Sequence, residues 1–261
     1  MGEPKTITLS GGNMNAPSLR DGVIYKGTHR ATPNIDALLR HARGKGLRWV
    51  PESFGAVDGK HALSFIEGDV VHDSPRWLLS KRLLRESARK LREWHDATED
   101  FVPINDDWLL GGDEPKEVVC HNDFAPYNWV FDRGRRLVGL IDFDTCAPGS
   151  RLRDIAYAAY RIVPLMPFGD AAEYMETSPF PVKKMISRTR YFLAQYASGD
   201  IARLYAFEAV VERLSRRLIA IAEWSEGEGT RTGNQELLRH ARMYRMHAEW
   251  AWDAFIDKKY S

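Results

Sequence analysis

Along the first 66 residues the apolar positions come in short bursts rather than in helical stripes. Thr6-Ile7-Thr8-Leu9, Val23-Ile24-Tyr25 and Ala62-Leu63-Ser64-Phe65-Ile66 read as strands. Between the first two lies Ser10-Gly11-Gly12-Asn13-Met14-Asn15, a cluster of turn formers. One helix interrupts them: Thr32 as its cap, Pro33 in the first turn, Ile35, Leu38 and Leu39 as a stripe, and Gly44 and Gly46 to end it. After Glu67-Gly68-Asp69 the period lengthens. Ser74-Pro75 opens a helix with Trp77, Leu84, Ala88 and Leu91 on one face. Near the C-terminus, Leu204, Phe207, Val211, Leu214, Leu218 and Ile221 mark a second helix, and Leu237, Ala241, Tyr244, Ala248, Trp252 and Phe255 a third. Residues 117–145 return to strands. Glu117-Val118-Val119-Cys120 is short and apolar, while Trp129-Val130-Phe131 and Leu137-Val138-Gly139-Leu140-Ile141 flank a hairpin turn at Asp132-Arg133-Gly134-Arg135. The pattern predicts an α+β chain with a small strand-rich part, 1–66, and a larger helical part, 67–261, that holds a hairpin within 117–145.

Composition narrows the field without naming a function. The chain has 261 residues, 37 Lys+Arg against 36 Asp+Glu, and 44% hydrophobic content, enough to fill a core. Such balance offers no basic excess for nucleic acid and no acidic tail. No stretch approaches the ~20 apolar residues of a membrane span. Cys120 and Cys146 are too few for a disulfide framework or a four-cysteine zinc site, so both are expected to be buried packing. Met1-Gly2-Glu3-Pro4-Lys5-Thr6 has no apolar signal region, although it fits the loose N-myristoylation pattern. The expectation is a soluble, cytoplasmic protein; its oligomeric state is not legible.

The hairpin carries the chemistry. Before it stands His121-Asn122-Asp123-Phe124-Ala125-Pro126-Tyr127-Asn128, and after it Ile141-Asp142-Phe143-Asp144. The spacing H-x-D-x-x-x-x-N is that of a kinase catalytic loop, in which the Asp takes the acceptor hydroxyl's proton and the Asn holds magnesium. Phosphoryl transfer needs a carboxylate beside the attacking hydroxyl and hard oxygen ligands for Mg2+. Asp123 suits the first task; Asn128 and Asp142 suit the second. A metal-dependent hydrolase using His121, Asp123 and Asp142 is an alternative, though no second histidine lies near them in sequence.

These residues resemble the aminoglycoside phosphotransferase and choline kinase branch of the protein-kinase-like fold. The likeness runs on through Ala147-Pro148-Gly149-Ser150-Arg151-Leu152-Arg153-Asp154-Ile155-Ala156, and upstream through Leu91-Arg92-Glu93-Trp94-His95. It covers about 80 residues, 76–157. It implies a bilobal fold with a short β-rich N-lobe and a mainly helical C-lobe, and ATP or GTP as co-substrate with Mg2+. It further implies a small hydroxylated molecule as acceptor and Asp154 as a support of the catalytic loop; His121 itself reads as structural, hydrogen-bonding the loop backbone.

In kinases a glycine-rich hairpin covers the phosphates and a lysine on the third strand pairs with them, held by a helix Glu. Ser10-Gly11-Gly12-Asn13 resembles a reduced covering loop, or is a plain hairpin. Lys26 suits the phosphate lysine, or is an exposed strand-end residue; Arg30 is a second candidate. The helix offers only Asp36 as a carboxylate, so the acidic partner of Lys26 is missing from its expected place. Ser64-Phe65-Ile66-Glu67-Gly68-Asp69 resembles the purine-reading hinge. This short lobe leaves a non-catalytic, ligand-binding kinase-like protein as the alternative. Residues 150–261 hold 17 Lys+Arg against 14 Asp+Glu, which does not suit a polycationic acceptor. The acidic run over 99–123, with Asp106, Asp107, Asp113 and Glu114, is either a solvated loop or a lip attracting a cation.

Overall fold

Two Asp-Gly turns build the N-terminal sheet. Asp21-Gly22 and Asp58-Gly59 both hold positive φ, 51° and 76° in the first and 50° and 72° in the second. That pairing of left-handed residues matches the twist of antiparallel strands. In the computed structural model, which describes residues 7–8, 17–71, 75–169, 176–197 and 205–257, the first turn joins β2 (Ser18–Arg20) to β3 (Val23–Gly27). The second joins β4 (Ser53–Val57) to β5 (Lys60–Ser64). With β1 (Ile7–Thr8) these make an antiparallel sheet of order β1-β2-β3-β5-β4. Lys26 of β3 lies opposite His61 of β5.

Helix α1 (Thr32–Gly44) buries Ile35, Leu38, Leu39 and Ala42 at 3, 1 and 3 residue spacings, a single stripe. Its N-cap is Ala31 rather than Thr32. The Thr32 hydroxyl, already inside the helix, accepts the His29 N–H at 2.8 Å and so fixes the turn that precedes it.

The chain divides into two compact units. The first comprises residues 1–71, 93–122 and 127–150. Besides the sheet it holds β6 (Asp69–Val70), β8 (Trp129–Phe131) and β9 (Leu137–Leu140) as a three-stranded sheet of order β6-β8-β9. A further pair is β7 (Val118–Cys120) with β10 (Ala147–Gly149). The expected hairpin turn forms, with Arg135 N–H donating to Asp132 O and Asp132 N–H to Arg136 O. Gly68 admits no side chain: at φ 146° an added Cβ would stand 2.5 Å from Phe131 O. Ile66 similarly presses on Gly139, where a Cβ would meet its Cγ2 at 2.7 Å. The segment after β5 is thereby seated on the β8–β9 hairpin.

The second unit comprises residues 72–92, 123–126 and 151–261. The helix expected to open at Ser74-Pro75 does so later. Arg76–Leu79 is a 3-10 turn and α2 runs Lys81–Thr98, so Leu78 takes the buried place expected of Trp77. Leu84, Ala88 and Leu91 are fully buried as the stripe requires. Then come α3 (Arg151–Ile162), α4 (Val182–Tyr196), α5 (Phe207–Thr232) and α6 (Gln235–Phe255). Gly233, left-handed at φ 71°, ends α5, and Asn234 caps α6 by accepting from the Glu236 and Leu237 amides. The two C-terminal stripes bury Val211, Leu214, Leu218, Tyr244, Ala248 and Phe255 as their spacing predicts, whereas Ile221 and Leu237 are half-buried and Trp252 is exposed. Leu204, Thr6, Leu9 and Ser74 lie outside the described residues. Among the described residues no helix is long and apolar enough to cross a membrane.

Candidate active site

The two residues expected to hold magnesium flank one end of the β8–β9 ladder. Trp129 pairs with Leu140, and one step beyond it the Ile141 N–H donates to Asn128 O at 2.9 Å. Asn128 therefore flanks the start of β8, while Asp142 follows directly after that last bond. Asn128 is buried and Asp142 exposed. Asp142 holds φ 62° and Asn122, beside Asp123, holds φ 65°. Asp and Asn tolerate this left-handed region better than other side-chain-bearing residues. Two such residues within one loop pair are the kind of backbone outlier that clusters where side chains must be aimed.

The loops bearing them are locked together. Thr145 donates its hydroxyl to His121 O at 2.9 Å, and Asn122 Nδ2 donates to Thr145 O at 2.9 Å. Phe143, between Asp142 and Asp144, stands edge-on to His121 at 4.9 Å and tilted against Trp94 at 5.3 Å. Trp94 Nε1 in turn donates to Val119 O at 2.8 Å. His121 is fully buried.

Lys26 is paired, but not with a helix acid. Its Nζ lies 2.5 Å from Asp144 Oδ1, two residues after Asp142. His29 Nε2 lies 3.1 Å from the same oxygen. The His29 Nδ1 accepts the Ala31 N–H, which leaves the ring proton on Nε2, toward Asp144. Burial alone would raise the Asp144 carboxyl; His29 and Lys26 together outweigh it and bring it down to about 2. Asp36 is engaged elsewhere, accepting from the Ser53 hydroxyl at 2.6 Å and pairing with Arg40 at 3.1 Å. Arg30, the second candidate, is engaged with a loop: its Nε donates to Trp108 O at 3.1 Å.

In the second unit Asp123 is half-buried, and Asp154 is fully buried in the first turn of α3. Arg217 of α5, half-buried in the same unit, was not legible as part of this group. Burial and then the charge of Arg153 hold its guanidinium below the ordinary range, against Tyr157, Asp154 and Asp123, whose charges draw it up. Gly11 and Gly12 lie outside the described residues. Cys120 and Cys146 are buried and unbridged, as expected. The acidic run is partly spent: Asp100 pairs with His41 and Lys45. Among the described residues no three His, Cys, Asp or Glu side chains come together to hold a metal, so the hydrolase alternative has no ligand cluster there.

Residues 47–173, the hairpin and its flanking loops included, match the model of the phosphotransferase enzyme family. That stretch, just under half of the chain, is similar to the family. The resemblance read from the catalytic-loop residues is therefore shown. The chain is 34% identical over 164 residues to the trifolitoxin immunity protein of Rhizobium leguminosarum bv. trifolii, covering 59% of this chain and 60% of that one. It thus spans about 60% of the length of the curated relative it matches. Among solved structures it is similar to a Plasmodium vivax ethanolamine kinase, with TM-score 0.67 and 12% identity over 97% of this chain and 84% of that one. It is also similar to the GDP complex of aminoglycoside 2'-phosphotransferase-IIIa, with TM-score 0.60 and 14% identity over 94% and 92%. At such identities the likeness is one of fold, a protein-kinase-like fold with a small β-sheet lobe and a helical part.

Proposed function

We propose that the protein is a small-molecule kinase that moves the γ-phosphate of ATP or GTP to a hydroxyl. The observation that carries this reading is the ladder end that Asn128 and Asp142 flank, within the segment that matches the phosphotransferase family. An amide oxygen and an exposed carboxylate are hard donors of the kind Mg2+ takes alongside phosphate oxygens. Magnesium, when bound there, would neutralise charge on the phosphates. Asp123 accepts the proton of the attacking hydroxyl as its oxygen bonds to phosphorus and the nucleoside diphosphate leaves. Lys26 steadies the phosphates, with Asp144 and His29 fixing where its ammonium stands. His121 and Asp154 support the loop. The lobe boundary at residue 66 and the covering role of Gly11 and Gly12 belong to the same proposal.

The test is release of ADP or GDP in a screen of hydroxylated amines, sugars, antibiotics and acids. Turnover that disappears in Asp123→Asn supports the reading; undiminished turnover in that variant overturns it. A second reading rests on the immunity-protein relative. Immunity can come from modifying a toxin or from capturing it, and capture needs no transfer. Ligand binding that survives Asp123→Asn, with no nucleotide consumption by the wild type, would favour capture.

A further inference from the structure

Burying a charge without a partner costs several kcal/mol, so folded chains rarely keep one for packing alone. Arg188 on α4 is such a charge. It is 5% exposed, and its Nε and one Nη, the atom Nη2, are buried with no hydrogen-bond partner. It has no ion pair among the described residues. Its guanidinium carbon sits 4.4 Å from the centre of the Phe180 ring, which supports the flat face but leaves the edge unserved. Burial lowers its pKa to about 10, so it remains charged at neutral pH.

Which two nitrogens are unserved matters. The Nε–H and an Nη2–H point the same way along one edge of the plane, and that edge is the fork which takes two oxygens of one carboxylate or phosphate at once. Another buried arginine of this unit shows the contrast. Arg161 donates from Nε and Nη2 to the Tyr157 hydroxyl and from Nη2 to the Tyr244 hydroxyl, so its fork is filled from within the fold. Among the described residues nothing hydrogen-bonds the Arg188 fork. The 17 Lys+Arg against 14 Asp+Glu of residues 150–261 also favour an anion over a cation.

We infer that Arg188, stacked on Phe180, is the centre of an oxyanion-binding site that takes the carboxylate or phosphate group of a small molecule through its Nε and Nη2 edge. The site stands whether or not the protein transfers phosphate, because it is read by binding rather than by turnover.

The experiment is thermal unfolding of the full chain in sodium acetate, sodium phosphate and sodium chloride at matched ionic strength. The proteins are the wild type, Arg188→Met and Arg188→Lys. Methionine fills a similar volume without charge, so ligand-free Arg188→Met should melt above the wild type, by roughly 3 °C. Acetate or phosphate should raise the wild-type Tm by at least about 3 °C over chloride, leave Arg188→Met unmoved, and act weakly on Arg188→Lys, which keeps the charge without the fork. A response to acetate alone assigns a carboxylate, and one to phosphate alone assigns a phosphate. A ligand-free Arg188→Met that melts below the wild type would show the guanidinium to be satisfied by the chain itself. That result overturns the inference, as does an equal anion response in wild type and Arg188→Met, or no response beyond chloride in the wild type.

Discussion

The two ends of the first unit's candidate machinery are held by different means. Asn128 and Asp142 are placed by backbone: a ladder bond between residues 128 and 141, a hairpin turn, and a left-handed residue at Asp142 itself. Lys26 is placed by side chains, through a carboxylate 118 residues away and a histidine that shares it. The difference has consequences. A group aimed by backbone can lose its chemistry while the fold keeps its shape, whereas a group aimed by a part-buried ion pair loses chemistry and stability together.

The largest effect expected on that contrast is at the backbone-held end. Asp142→Asn keeps the tolerance for positive φ and the size of the side chain, and removes only the charge. Turnover should fall on the order of 10³-fold, with Tm moved by no more than ~2 °C, since Asp142 is exposed. Steady-state kinetics and a melting curve on the same preparation check both halves. A large loss of Tm would place Asp142 in the fold's support rather than at its working edge.

At the side-chain-held end, Asp144→Ala leaves Lys26 and His29 without their shared carboxylate. Lys26 and Asp144 side chains are 17% and 29% exposed, so the pair is well screened from water. The expected cost is about 2 kcal/mol of stability by urea unfolding, together with a raised KM for nucleotide. An unchanged KM with lowered stability would mean that Lys26 serves the fold and not the phosphates.

Acid sharpens the comparison between the units, because each carries a buried histidine held well below its ordinary pKa. His61 is held down to about 4, first by burial and then by the charge of Lys26. His247 is held down to about 4 chiefly by burial, its Nε2 donating to Glu176 O and its Nδ1 accepting from the Tyr160 hydroxyl. The unfolded chain takes up these protons near pH 6.5, and the folded chain resists them until about 4. Stability is therefore full above about 6.5 and falls as the pH drops toward 4, by roughly 3 kcal/mol for each histidine. His61→Gln and His247→Gln should each remove about half of that slope in denaturant titrations at pH 7, 5.5 and 4.5. A slope unchanged in both variants would assign the acid sensitivity to carboxylates instead.

What the sequence yields follows the same division between local and distant. The hairpin turn and most of the two C-terminal stripes are local, and they appear where motif and period put them, Trp252 excepted. The Asp21-Gly22 and Asp58-Gly59 turns are also local, and reading them as hairpin signals would have found β2 and β4. The partner of Lys26 is different in kind. Asp144 and Lys26 share no period or motif, and only the three-dimensional fold brings them together. The same holds for the unserved edge of Arg188, since one arginine among many in a helix looks like any other. The start of α2 differs from its sequence pattern because Pro75 permits a helix but also a 3-10 turn, and burial of Leu78 accompanies the turn.

The smallest effect is expected at Asp36, the carboxylate that helix position alone would pair with Lys26. Its oxygen accepts from Ser53, whose hydroxyl has a single proton to give; Ser53 must therefore accept from His61 Nε2 at 2.8 Å. The arrangement looks like a serine–histidine–acid set, but the serine proton goes to the acid and not to the imidazole, so it does not activate a nucleophile. Its part is to fix α1 and β4 in register. Asp36→Asn can still accept that proton through its amide oxygen and loses only the pair with Arg40, whose side chain is 58% exposed. Stability should drop by less than ~1 kcal/mol and the nucleotide KM should not move. Measured beside Asp144→Ala, this variant separates the two carboxylates cleanly: a KM that rises in Asp36→Asn and not in Asp144→Ala would return the phosphate lysine to its usual helix partner and dissolve the long-range pair as a functional device.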